Sequence, residues 1–226
     1  MPKMYNSRNE YKLPVEDSFQ AFLVEGAKFT PNEEYPIIEN YMISKKIPEK
    51  IMPFEKAITY KGDLSETFIC TFCKDSTFNR IKTNPQKYIN FFKKTAGIIG
   101  FDFSIHSDMP IIKQKSQMND NLSLTYFYGK NNIPIIPNLR CGDDELQKEF
   151  FMAIPTNSIV AVGTHGFIKE VYQKYEWLCF LNDVISDLAP KEIIVYGNLR
   201  GKIFDDIKSK SNFHFYTPWI YNRGTI

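Results

Sequence analysis

At 226 residues the chain is long enough to bury a sizeable core, and short enough that one domain with a terminal extension is the economical reading. Its 43% hydrophobic and 15% aromatic content is that of a folded protein; 24% charged residues balanced to +2 exclude a strongly polybasic or polyacidic class, though a local basic stripe remains compatible. No apolar run approaches the roughly 20 residues that cross a bilayer, and residues 1–10 lack the apolar heart of a signal peptide, so a cytoplasmic chain with no membrane partner is expected.

From Met1 to Glu66 the chain is dotted with prolines (Pro14, Pro31, Pro36, Pro48, Pro53) and shows little sustained periodicity. Proline denies helix interiors and central strands their hydrogen bonds, so residues 1–66 are expected to be an extended segment that packs on the domain or binds a partner. Apolar groups such as Phe19, Phe22 and Leu23, or Tyr35, Ile37 and Ile38, are the candidates to pin it down.

After Glu66 apolar runs of strand length alternate with stretches of helical spacing, which predicts a single α/β domain over 67–226. The predicted strands are Phe68 to Cys73, Ile98 to Phe103, Ile133 to Ile136, Ile159 to Val162, Ile193 to Tyr196 and Phe213 to Tyr216. Between them Phe78 to Lys94, Pro110 to Lys130, Glu145 to Met152, Lys169 to Leu188 and Lys202 to Lys210 read as helices. Tyr175, Leu178, Leu181, Ile185 and Leu188 recur at three- and four-residue steps, a stripe expected to pack on the sheet. Asp108, ahead of Met109-Pro110, is the expected cap of the helix that follows. Alternation implies right-handed crossovers and mainly parallel pairing. Two architectures satisfy it, an incomplete or small (β/α) barrel-like form and an open doubly wound sheet. The barrel-like form is favoured because no G-x-G-x-x-G turn follows a predicted strand.

In parallel α/β folds ligands bind at the carboxyl ends of the strands. Reading off those ends collects Asp102, Ser104 and His106; Asn138, Arg140 and Asp143; Thr164, His165 and Gly166; and Tyr196, Gly197 and Arg200. Carboxylates, imidazole, guanidinium and close-approach glycines on one rim are what an acid/base and anion-binding site requires, whereas solvated loops with caps are the plain alternative. His165, in Gly163-Thr164-His165-Gly166, and Asp102 are the acid/base candidates. Ser104, Asn138, Arg140, Asp143, Thr164, Gly166, Tyr196 and Gly197 are the substrate-binding candidates. Asp102, His106, Asp143 and His165 form a candidate divalent-metal set without any fixed-spacing motif. Arg140 and Arg200 suit a phosphate, or pair Asp143 and Asp205. Cys70 and Cys73 have C-x-x-C spacing, but no second pair follows and the run reads as a strand, with the two thiols on opposite faces. The C-terminal mixture of His214, Phe215, Tyr216, Trp219, Tyr221 and Arg223 is suited to stacking on bases, or closes the last strand.

The run Gly97 to Gly197 carries Asp102-Phe103-Ser104 with Asp108-Met109-Pro110 and Gln114, Ile136 to Arg140 with Gly142-Asp143, Ser158 to Ile168 with Lys169, and Pro190 with Ile193 to Gly197. In order and spacing these motifs resemble an uncharacterised domain-of-unknown-function family of bacteria, their plasmids and their phages. The family pattern would place Trp where this chain has Cys141, and arginines around Asp120 and Leu122. The resemblance implies one domain in a mobile-element or viral setting, in the host cytoplasm or a virion. It carries no activity over and leaves the cofactor and the metal open. Two functions follow as expectations: an enzyme acting on a nucleotide, nucleic acid or other phosphorylated substrate at the rim, or a non-catalytic phage or virion component that meets a phage or host protein through its N-terminal arm.

Overall fold

The structure is a computed structural model that describes residues 17, 20–106, 108–140, 144–164, 171–197, 204, 207 and 209–221. Eight strands and six α-helices alternate along it: β1 Lys50–Pro53, α1 Phe54–Ala57, β2 Thr67–Cys70, α2 Asp75–Thr83, α3 Ile89–Phe92, β3 Gly97–Ile99 and α4 Ile111–Lys130 come first. Then follow β4 Ile135–Ile136, β5 Asn138–Leu139, α5 Asp144–Met152, β6 Ile159–Gly163, α6 Val171–Leu188, β7 Glu192–Tyr196 and β8 Asn212–Tyr216.

Every ladder is parallel, and neighbours in the sheet are neighbours in the chain. β1-β2-β3-β4 form one four-stranded sheet and β5-β6-β7-β8 another. Only Pro137 separates β4 from β5, so one extended segment belongs to both sheets. Proline has no N–H to give a ladder. Its carbonyl still accepts the Ala161 N–H at 2.8 Å, and the Ile136 carbonyl accepts Gly100 N–H at 2.8 Å.

A strand order that follows the chain without reversal has no topological switch point, which sets it apart from a doubly wound sheet. Alternate side chains explain the curvature. Ile51, Phe68, Cys70, Ile99, Ile136, Ile159, Ala161, Ile194 and Tyr196 pack into one cluster, with Tyr216 of β8 against it. In a flat sheet the outermost of these strands would stand about 29 Å apart at roughly 4.8 Å per strand, too far to share a core. The two sheets therefore curl toward a common inner face. Tyr216 Oη donates to the Pro48 carbonyl beside β1, but among the described residues no ladder joins β8 to β1. The architecture is an open, incomplete α/β barrel-like form.

The residues between those inner positions face the helices. Met52, Ile69, Ile98 and Ile135 pack with Phe78, Phe92, Leu124 and Tyr128, and Leu139, Val160, Val162, Ile193 and Val195 pack with Leu122, Phe150, Trp177 and Leu181. On α6 the buried stripe is Trp177, Phe180, Leu181, Val184 and Leu188. It is rotated from the expected one, leaving Tyr175 at 71% exposure. Trp177 and Phe180 supply more apolar area than Tyr175 and turn the helix toward themselves.

Other boundaries moved for local reasons. The helix expected over Phe78 to Lys94 starts at Asp75 and breaks into α2, a 3-10 turn Pro85–Tyr88, and α3, because Pro85 cannot continue an α-helical ladder and holds Asn84 at φ −145°, ψ 72°. The strand expected to reach Phe103 ends at Ile99. Beyond it Asn121 of α4 accepts the Phe103 N–H at 2.8 Å and donates to the Phe103 carbonyl at 3.2 Å, replacing a neighbouring strand with a side chain. Asp108 does not cap α4: Pro110 is the N-cap residue and no side chain caps it. Of the helix expected over Lys202 to Lys210, residues 204, 207, 209 and 210 are described and none of these is helical.

The expected strand set begins one strand late. Lys50–Pro53 is β1, in register with β2 from Lys50↔Thr67 to Pro53↔Cys70. Pro53 is compatible with it because β1 stands at the sheet edge and Pro53 ends it.

Candidate functional site

β3 ends at Ile99, and the chain continues through Gly100 and Phe101 to Asp102. A β-carbon on Gly100 would lie 3.0 Å from the Asn138 nitrogen and 3.1 Å from Thr125 Oγ1. Glycine is what lets the tip of β3, the start of β5 and α4 come this close. Asn138 opens β5 and Arg140 lies two residues on, the spacing that puts both on one face of an extended chain. Both reach Asp102. Asn138 Nδ2 donates to Asp102 Oδ1 at 2.7 Å and to the Phe101 carbonyl at 3.3 Å, and an Arg140 guanidinium nitrogen lies 3.3 Å from Oδ1 and 3.5 Å from Oδ2.

Asp102 is 8% exposed. Burial raises its carboxyl pKa above the usual carboxylate value; Arg140 and the Asn138 amide pull it back down, and Asp75 pushes it up. Burial wins. Asn138 Oδ1 is itself buried with no hydrogen-bond partner among the described residues, as are Thr71 Oγ1 and Thr164 Oγ1. Thr71 and Thr164 lie just past the carboxyl ends of β2 and β6, and Asn138 lies two residues past that of β4. Orphaned buried acceptors and hydroxyls are uncommon, and their collection at one edge of the sheet is a feature of this rim.

The remaining predicted residues divide. Ser104 turns away from Asp102: its N–H and hydroxyl donate to the Asp75 carboxylate at 3.1 and 2.9 Å, in the first turn of α2. Thr164 donates its N–H to the Tyr196 carbonyl at 2.9 Å, and Gly197 donates its N–H to the Tyr216 carbonyl at 3.0 Å, so both extend ladders past their strands. Tyr196 closes β7; its hydroxyl accepts the Trp219 N–H at 2.9 Å and its ring stacks on Phe72 at 4.8 Å and 14°. His165, Asp143, Gly166 and Arg200 lie outside the described residues. His106 is exposed, and among the described residues no group of three His, Cys, Asp or Glu is placed to hold a metal. No helix of the described residues is long and apolar enough to cross a membrane.

A cavity of about 530 Å³ opens at the same end of the sheet. Its walls come from the carboxyl ends of β1 and β2, from Tyr196 of β7, and from Pro218, Trp219 and Ile220 after β8. Phe72 lies across the barrel mouth, and a β-carbon on Gly163 of β6 would meet its ring at 2.9 Å. Lys56 and Lys74 stand on the wall with Glu55, Cys73 and Thr77. Burial raises the Cys73 thiol first, and the charges of Glu55, Asp102 and Asp75 add to it. Cys70 and Cys73 are both free thiols. β2 ends at Cys70 and Cys73 follows a tight turn, its N–H donating to the Thr71 carbonyl at 2.6 Å, so the two do not sit on opposite faces of one strand.

Sequence reasoning missed half of this wall. Glu55 and Lys56 become strand-end residues only once β1 is recognised. Lys74 and Asp75 follow the predicted strand Phe68 to Cys73 directly, so the same strand-end rule that found Asp102 would have found them. Trp219 was visible as part of the C-terminal aromatic group.

A family model described as "Domain of unknown function (DUF4417)" matches residues 32–214. No curated protein and no solved structure matches the chain.

Proposed function

We propose that this chain, which belongs to the DUF4417 family of unknown function, is an enzyme acting at its strand-carboxyl rim on a nucleotide, nucleic acid or other phosphorylated substrate. The observation that carries the reading is the buried Asp102 held between Asn138 and Arg140. A carboxyl group whose pKa burial has raised exchanges a proton closer to neutral pH than an exposed one does, which is the requirement for general acid/base work. Asn138 orients it through one amide atom while its other polar atom, Oδ1, is buried without a hydrogen-bond partner among the described residues. The bland alternative for such a trio is a structural ion pair. Three features weigh against it: the orphaned polar atoms at neighbouring strand ends, a cavity at the same end of the sheet, and the position at the edge where parallel sheets bind their ligands.

Asp102→Asn keeps the size of the side chain and removes its proton chemistry. In a turnover screen against mononucleotides, single-stranded oligonucleotides and simple phosphate monoesters, the wild-type chain should process at least one class. The variant should lose about 10²–10⁴-fold in kcat per folded molecule. A variant as active as wild type, or a wild-type chain inert toward every class, would overturn the reading. Melting curves recorded alongside separate lost chemistry from lost folding.

A further inference from the structure

We infer that the cavity walled by Phe72, Tyr196 and Trp219 is a mononucleotide pocket, holding a planar base against the aromatic wall and its phosphate toward Lys56 and Lys74. This rests on the rim being the working end of the molecule, and it names the substrate class there.

Three observations lead to it. The cavity is about 530 Å³, within the range of roughly 300–1,000 Å³ that holds small ligands. Its aromatic face is the half-buried Trp219 with the edge of Phe72, which is 9% exposed, and both are backed by the buried Tyr196: Phe72 stacks on Tyr196 at 4.8 Å, Phe72 leaves no room for a β-carbon at Gly163, and the Tyr196 hydroxyl holds the Trp219 backbone at 2.9 Å. A rigid aromatic wall binds a flat ring without first being ordered. The cations are exposed at the mouth, with Lys56 3.6 Å from Glu55 in a solvated pair and Lys74 at the entry to α2. An apolar ligand would make no use of the ammonium groups, and an inorganic anion would make none of the rings. A base joined to a phosphate uses both.

Three other cavities among the described residues lack this combination. One of about 390 Å³ lies between residues 20–34 and α4 and has the Lys82–Asp120 ion pair on its wall. Two of about 460 and 450 Å³ open near the amino ends of the strands with lysines on their walls; the first has Tyr41 as its lone aromatic residue and the second has none.

The chain has two tryptophans. Trp177 is 1% exposed in the core under α6, whereas Trp219 is on the cavity wall, so intrinsic fluorescence reports the pocket directly. Titration with AMP, GMP, CMP and UMP should give saturable quenching by at least one of them. Trp219→Phe should abolish the quench while calorimetry still detects binding of the same nucleotide. Lys56→Ala with Lys74→Ala should raise the Kd for that nucleotide more than tenfold and leave the Kd for its nucleoside within twofold. Inorganic phosphate alone should leave the fluorescence unchanged. Absence of saturable quenching by all four nucleotides, quenching that survives Trp219→Phe, or indifference to the double lysine change would each overturn the pocket.

Asp102→Asn separates this inference from the catalytic one. If both hold, the variant keeps the quench and loses turnover. Turnover that depends on Asp102 with no quench sinks the pocket alone, and a quench with turnover untouched by Asp102→Asn sinks the catalytic reading alone.

Discussion

Cys73 shows how environment decides what a side chain does. A C-x-x-C pair used in redox chemistry needs a thiolate stabilised by its surroundings. Here burial pushes the Cys73 thiol up to about 11, the Thr77 hydroxyl pulls it partway back, and the charges of Glu55, Asp102 and Asp75 push it up again. Cys70 is raised too, chiefly by burial. The thiolate is the species that alkylates, and its fraction climbs about tenfold per pH unit below the pKa. Alkylation of Cys73 by iodoacetamide, followed by peptide mass spectrometry, should therefore keep accelerating from pH 7 through pH 10. A rate that levels off below pH 8.5 would contradict the environment described. The same scale explains what was legible in the sequence. Asp102, Asn138 and Arg140 were found because strand ends are predictable places, and the i, i+2 spacing of the latter two is readable. The Ser104–Asp75 contact was not, because it depends on α2 beginning at Asp75, ahead of the expected start at Phe78.

Among the elements, the Pro-rich stretch before β1 is packed on the domain over residues 35–44. Tyr35, Ile38 and Met42 are 2%, 1% and 2% exposed, the Ile38 N–H reaches the Ala153 carbonyl at 2.8 Å, and the Ser44 N–H reaches the Ile135 carbonyl at 2.7 Å. Glu149 of α5 holds the turn ahead of them, accepting the Asn32 and Glu33 N–H groups at 3.0 and 3.1 Å and the Asn32 amide at 3.0 Å. Burial would raise this carboxyl, but the hydrogen bonds from Glu33, Thr30 and Asn32 outweigh it and hold the pKa below the usual carboxylate value. A depressed pKa makes the contribution to stability complete above the unfolded value of about 4.3, and it is lost as the pH falls through the folded one. Glu149→Gln should cost about 1–3 kcal/mol near neutral pH. The difference in melting temperature between wild type and variant should shrink as the pH is lowered from 6 to 3. A difference that is constant across that range would show that the carboxylate's charge plays no part.

For the whole molecule, the parallel class and the identity of six strands were readable because buried strands in such sheets are short continuous apolar runs separated by helical periodicity. β1 was not readable, since four residues bracketed by Pro48 and Pro53 carry too little pattern. The split at Pro137 was not readable either, because it depends on which side of the segment each neighbour lies. What the proposed function rests on at this scale is that all eight described strands run the same way. Their carboxyl ends form one rim carrying Asp102, the orphaned polar atoms and the aromatic cavity, while Lys45, Lys46 and Lys191 lie at the opposite edge. Hydrogen–deuterium exchange with and without a saturating mononucleotide tests that polarity most directly. The account predicts slowed exchange in residues 53–56, 71–77, 196–197 and 217–221; slowing confined to residues 43–47, 157–159 and 191–192 would place the ligand at the wrong end of the sheet and contradict it.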